Sequence, residues 1–101
     1  MAIKVQITRQ FQPGTLEQAA RILIQTRYQA MDRPGYIASE TWSDLNDPHR
    51  VVVVSMWHSI EDWNRWQDSP QRGEFVTELG KIMVGGEHLD FYALGINRPT
   101  G

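Results

Sequence analysis

Three of the four tryptophans of this 101-residue chain stand across a single strand-to-helix junction, Trp57-His-Ser-Ile-Glu-Asp-Trp63-Asn-Arg-Trp66. Ser59 can cap a helix there, with Asp62 three residues on as reciprocal acceptor, which puts Trp63 and Trp66 at i and i+3 on one face. Two indoles so placed either fill a core or wall a pocket, since each buries about 150–250 Å². Apolar walls with a few polar tips suit a planar hydrophobic ligand. The candidate walls are Ile7, Tyr36, Trp63, Trp66, Phe75, Val76 and Leu79, with Trp42 and Tyr92 as polar-tipped neighbours. The candidates for chemistry are Trp66 and His58. A neutral imidazole at position 58 can act as a base, or it can equally hydrogen-bond the helix start.

Other chemistries find little support. His49, His58 and His88 share no metal-ligand spacing, and Asp44, Asp47 and His49 cluster only within a solvated turn, so no metal is expected. His49 reads as an exposed turn residue and His88 as a residue of the sheet edge or of a subunit seam. With no cysteine there is no disulfide, thiolate nucleophile or zinc–sulfur site. No serine has the elbow context of a hydrolase nucleophile, and Gly85-Gly86 serves a turn better than a phosphate. Ten Lys and Arg are scattered from Lys4 to Arg98 at a net charge of −2, with a pI near 5.8, which argues against nucleic acid as a partner. The first residues alternate apolar and polar types, and no stretch approaches the roughly 18 apolar residues of a membrane span. The expectation is a soluble cytoplasmic protein, a single domain over residues 1–101 with its core in about 2–96.

The elements that must carry these residues follow from periodicity. Residues 2–11 put Ile3, Val5, Ile7 and Phe11 on one side and Lys4, Gln6, Thr8 and Gln10 on the other, the period of a strand. Pro13-Gly14 breaks it, and a capping box of Thr15 with Gln18 opens a helix to about Met31. Its inward positions are Leu16, Ala19, Ala20, Leu23, the stem of Arg27, and Ala30. After the turn Asp32-Arg33-Pro34-Gly35, residues 36–45 read as a second strand with Tyr36, Ala38, Glu40 and Trp42 on one side. A hairpin leads to the β-branched run Val51 to Trp57, a central strand. The tryptophan helix runs from Ser59 to about Asp68. Ser69 then caps another helix that has Pro70 at the permitted first position and Phe75, Val76, Leu79, Ile82 and Met83 on its apolar face. Gly85-Gly86 ends that helix, and a last strand spans 88–96. The order β-α-β-β-α-α-β predicts an α+β, ferredoxin-like fold with a four-stranded antiparallel sheet and helices on one face.

Two strands are apolar on both sides. Val51, Val53, Ser55 and Trp57 oppose Val52, Val54, Met56 and His58, while Leu89, Phe91 and Ala93 oppose Tyr92, Leu94 and Ile96. Helices cover only one face, so a second subunit packed sheet against sheet is the expected cover of the other.

Taken together, Pro13-Gly14-Thr15 after strand one, Pro34-Gly35-Tyr36 opening strand two, and Trp57-x-Ser59-x-Glu61 followed by a helix and Ser69-Pro70 make the chain resemble the antibiotic biosynthesis monooxygenase family over residues 2–96. Members of that family are small dimeric α+β barrels that include cofactor-independent oxygenases of aromatic polyketides, quinol oxidases and heme-degrading enzymes. The heme-degrading branch uses an asparagine, a tryptophan and an iron-ligating histidine, which fall here on Ile7, Trp66 and Val76. Only Trp66 matches, and methyls at position 76 cannot ligate iron. The quinol-acting branch typically carries histidine where Trp66 stands. The resemblance therefore implies a homodimeric, cofactor-independent monooxygenase that acts on a small aromatic or quinol-like substrate in a helix–sheet pocket, with no metal. The alternative is a non-catalytic dimeric ligand-binding or interaction module that has lost the family's catalytic residues. A pocket lacking any titratable group would favour the latter.

Overall fold

A computed structural model describes residues 1–96, so the polar tail from Asn97 to Gly101 lies outside the described residues. The elements are β1 (Ile3–Gln10), α1 (Leu16–Met31), β2 (Tyr36–Ser43), β3 (Arg50–Trp57), α2 (Ile60–Gln67), α3 (Pro70–Gly80) and β4 (His88–Ala93). All pairings are antiparallel and the sheet order is β2-β3-β1-β4, the ferredoxin-like arrangement that the element order predicts.

The alternation of β1 is realised residue by residue, with Ile3, Val5, Ile7 and Arg9 buried and the even positions half-buried. Its odd positions face the helices. Ile7 pairs with Val53 on β3 and Leu89 on β4, and Ile3, Val5, Ile7, Ala30, Trp57, Trp63 and Trp66 form one core cluster. A second cluster gathers Phe11, Ala19, Val51, Leu79, Ile82 and Met83 at the other end of the sheet. Among the described residues no helix is long and apolar enough to cross a membrane.

Several local expectations are corrected. Thr15 precedes α1 without a capping box, because its hydroxyl donates to the carbonyl of Gln12 at 2.7 Å and no side chain caps the helix. Ala20 and Arg27 are exposed, and Ile22 packs against the second cluster instead. β2 stops at Ser43, leaving Leu45 almost fully exposed. It also carries an irregularity between Tyr36 and Ala38: Tyr36 pairs with Trp57 but Ala38 pairs with Met56, so the extra residue reverses the facing of everything after it. Tyr36 therefore looks toward the helices, together with Ser39 and Thr41, while Ala38, Glu40 and Trp42 belong to the outer face. α3 ends at Gly80, well before Gly85-Gly86, because the next residues bond back to the end of β1. Phe11 bridges Met83, and the Val84 N–H donates to the Gln10 carbonyl at 2.7 Å. β4 closes at Ala93 rather than at position 96.

Both expected serine caps are present. Ser59 Oγ accepts the N–H of Asp62 at 3.2 Å and donates to its carboxylate at 2.9 Å. The buried Ser69 accepts the N–H of Arg72 at 3.3 Å and donates to the Trp66 carbonyl at 2.7 Å, tying the end of α2 to the start of α3. Gly35 has φ +85°, and a Cβ there would collide with the Asp62 side chain, so the turn before β2 can press against the start of α2 only as glycine.

Candidate functional site

Between the inner face of the sheet and the three helices lies a cavity of about 50 Å³ that is partly open to solvent. β1 contributes Ile7 and Arg9, β2 contributes Tyr36, Ser39 and Thr41, and β3 contributes Val53, Ser55 and Trp57. The helices add Leu23, Thr26, Arg27, Ala30, Trp63, Trp66 and Arg72.

Aromatic rings make up one wall. Tyr36, Trp57, Trp63 and Phe91 form a chain of edge-on contacts, with centroids 5.5, 5.9 and 6.2 Å apart in turn. Such geometry sets the positive edge of one ring on the negative face of the next. The Trp57 indole N–H donates to Ser55 Oγ at 3.0 Å, and the Tyr36 hydroxyl lies 2.7 Å from Ser39 Oγ. Arg33 lies over the Trp66 ring at 5.4 Å, and Arg72 over Trp63 at 5.2 Å. The buried indole N–H of Trp63 has no hydrogen-bond partner among the described residues.

The cavity also has a charged side, which adjoins the aromatic wall where Arg72 stacks on Trp63. Arg9 donates from Nε and Nη2 to Oε2 of Glu87 at 3.2 and 2.9 Å, and Arg72 donates from Nη2 to Oε1 of the same carboxylate at 3.0 Å. The side chains of Arg9 and Arg72 are only 5 % and 7 % exposed and that of Glu87 18 %. Burial lowers the Arg9 pKa and the neighbouring charge of Arg72 lowers it further, against the raising effect of Glu87. For Glu87, burial alone would raise the pKa, but the charges and hydrogen bonds of Arg72 and Arg9 outweigh it and hold the carboxyl below its ordinary value. Arginine remains protonated even so.

Of the residues the sequence puts forward, Ile7, Tyr36, Trp63 and Trp66 meet at this cavity. Phe75, Val76 and Leu79 do not line it. Phe75 packs on the edge of the first cluster and lines a surface groove between α1 and α3, Leu79 is consumed by the second cluster, and Val76 is half-buried on the same helix. α3 presents Arg72 in its first turn to the cavity and Leu79 in its last turn to the cluster at the Phe11 end. Trp42 and Tyr92 are half-exposed on the outer face, placed there by the irregularity in β2 and by the pairing of Tyr92 with Lys4. His58 is exposed beyond the end of β3, its backbone N–H donating to Gly35. His49 lies beside Asp47 in the hairpin, and His88 pairs with Asp90 at 3.2 Å on the outer face.

Sequence reasoning passes over Arg9 and Arg72. Arg9 has the parity of Ile7 and Phe11, and Arg72 stands three, four and seven residues before Phe75, Val76 and Leu79. Both positions therefore belonged to inward faces by the same periodicity that located the apolar residues.

Fold and cavity together define a ferredoxin-like α+β protein with an aromatic, arginine-ended chamber between sheet and helices. The chain belongs to the antibiotic biosynthesis monooxygenase family, whose model matches residues 2–78. A conserved protein from Methanosarcina mazei Go1 superposes with a TM-score of 0.86 at 15% identity, covering 91% of each chain. Rv0793 from Mycobacterium tuberculosis gives 0.84 at 10% identity over 99% of this chain and 100% of its own. SnoaB, a cofactor-independent oxygenase from Streptomyces nogalater, gives 0.82 at 11% identity over 98% of both chains. No curated protein sequence matches the chain.

Proposed function

We propose that the chain is a homodimeric, cofactor-independent monooxygenase acting on a single-ring phenol or quinol in this cavity. The observation that carries the reading is a partly enclosed chamber walled by Tyr36, Trp57, Trp63 and Trp66 in a member of this family. At about 50 Å³ the cavity is smaller than the roughly 150 Å³ that holds benzene in an engineered protein core. A bound ring must therefore reach into the open side of the cavity or displace lining side chains.

The chemistry balances without a further reductant. A phenol loses its O–H proton to solvent, and positive charge from the arginine end favours the resulting anion. The anion gives electrons to O₂, a carbon–oxygen bond forms at a hydrogen-bearing ring carbon ortho or para to the phenolate oxygen, and loss of that carbon's hydrogen with O–O cleavage yields a quinone and water. One oxygen atom enters the product and the other leaves as water, while the aromatic walls exclude bulk solvent.

One observation favours the alternative of a non-catalytic ligand-binding module. Among the described residues no histidine, aspartate or glutamate lines the cavity, so the only side-chain acid or base they place there besides the guanidinium groups is the Tyr36 hydroxyl. Incubation with a panel of single-ring phenols under ¹⁸O₂ separates the two. The expected result is a quinone bearing one ¹⁸O atom and no hydrogen peroxide. Binding without oxygen consumption above the uncatalysed rate would establish the module instead.

The dimer is supported by the outer face, where Trp42, Val52, Val54, Met56 and Tyr92 lie together without a covering helix. Sedimentation equilibrium at micromolar concentration is expected to give about twice the 11.7 kDa chain mass. A stable monomer would remove the sheet-to-sheet assembly.

A further inference from the structure

The buried ion cluster at the end of the cavity is unbalanced. Among the described residues two guanidiniums share one carboxylate, which leaves one uncompensated positive charge, and no acidic residue lines the cavity to meet it. Desolvating such a charge is costly unless a partner arrives. Among the described residues, Nη1 of Arg9 and both Nε and Nη1 of Arg72 make no hydrogen bond, although both side chains line the cavity. Arg27, exposed at the mouth, adds a further cation on the path inward in a chain whose net charge is −2.

The spacing of the two guanidiniums is already matched to a carboxylate. Glu87 spans them, its Oε2 on Arg9 and its Oε1 on Arg72. A second carboxylate on the cavity side would meet the remaining donors in the same forked manner and bring the cluster to neutrality.

We propose that Arg9 and Arg72, held in place by Glu87, form a carboxylate receptor, so that the natural ligand is a single aromatic ring bearing a carboxylate, its ring against the tryptophans and its carboxylate on the arginine pair. The inference rests on the aromatic-cavity reading above and narrows its substrate class. Glu87 is a positioning residue here, since it fixes both guanidiniums without facing the ligand itself.

The test uses the intact chain, because an arginine variant leaves Glu87 underpaired in the interior and loses stability for that reason alone. Benzoate and its neutral isostere benzamide are titrated while tryptophan emission and the ¹H–¹⁵N signals of the arginine Nε–H groups are followed. Benzoate is expected to bind roughly tenfold or more tightly than benzamide, as a charge-assisted hydrogen-bond pair requires. It should shift the Nε–H signals of both Arg9 and Arg72, and the preference should persist at roughly 1 M sodium chloride, where exposed charges are screened within about 3 Å. Equal affinity for the two ligands would overturn the receptor while leaving the aromatic cavity in place, and the arginines would then be a structural cluster. A preference that collapses in salt would assign the selectivity to exposed charges such as Arg27 and likewise overturn it. Failure of both compounds to bind would remove the aromatic-cavity reading and the receptor together.

Discussion

Replacing Trp63 by alanine is expected to lower stability by about 3–5 kcal/mol, the range for truncating a buried aromatic side chain. Trp63 is 1 % exposed and sits at the junction of the aromatic chain, touching Trp57 and Phe91 edge-on while Arg72 stacks on its face. Its removal strips contacts from β3, β4 and α3 at once. Against a total stability of about 5–15 kcal/mol for a domain of this kind, that is a large share. Chemical denaturation should register it as a fall in midpoint at nearly constant slope. Trp66→Ala is expected to cost less and to alter the binding of planar ligands, because among the described residues Trp66 makes no edge-on ring contact and Arg33 stacks on its face. A smaller loss for Trp63→Ala than for Trp66→Ala, with ligand binding unaltered in the latter, would mean that Trp66 acts through its packing in the core cluster and not through the surface it shows to the cavity. Trp63→Phe offers an intermediate case, since it keeps a ring and also deletes the indole N–H that has no partner.

Glu87→Gln is the second substitution with a large expected effect. Removing one member of a buried ion cluster costs roughly 3–5 kcal/mol, mostly because the remaining charges stay desolvated without compensation. The loss depends on pH in a definite direction. The Glu87 carboxyl is held below its ordinary value of 4.5 in the fold, burial opposing the shift and Arg72 and Arg9 overcoming it. Its stabilising contribution is therefore complete above the unfolded-state value and disappears as pH falls through the lower folded-state value. The gap in unfolding free energy between wild type and Glu87→Gln should be wide at neutral pH and should narrow as the solution is taken below about pH 4. A gap that stays constant through that range would show that the carboxylate charge contributes nothing to stability and that Glu87 acts only through its shape. The same variant bears on function, because it loosens the arginine pair and replaces no residue of the aromatic wall. Benzoate binding should weaken while benzamide binding changes little.

Much of the fold was legible in the linear sequence because its signals are local. The alternation of β1 from Ile3 to Ile7, the serine caps at Ser59 and Ser69, Pro70 at the first turn of α3 and the β-branched run of β3 each specify an element through neighbours a few residues away. Their order is enough to exclude most other arrangements of a four-stranded sheet with helices on one face. The aromatic half of the site was legible for the same reason, since Trp57, Trp63 and Trp66 stand within ten residues of one another at spacings that a strand end and a helix turn convert into one wall.

What the sequence left open depends on contacts between distant segments. The shift between Tyr36 and Ala38 is decided by pairing with β3, and it alone separates Tyr36 from Trp42 and sends them to opposite faces. The end of α3 at Gly80 follows from the bonds that Met83 and Val84 make to the end of β1 and the residue after it rather than from any breaker in the helix, and the packing of that helix leaves Phe75 and Leu79 outside the cavity and brings in Arg72. Arg9 and Glu87 are 78 residues apart, so no window along the chain could pair them, although the inward parity of Arg9 was already written there. Periodicity determines which way a side chain faces. Which charges meet across the interior is decided only when the sheet closes and burial makes an unpaired guanidinium more costly than the chain ordering that pairs it.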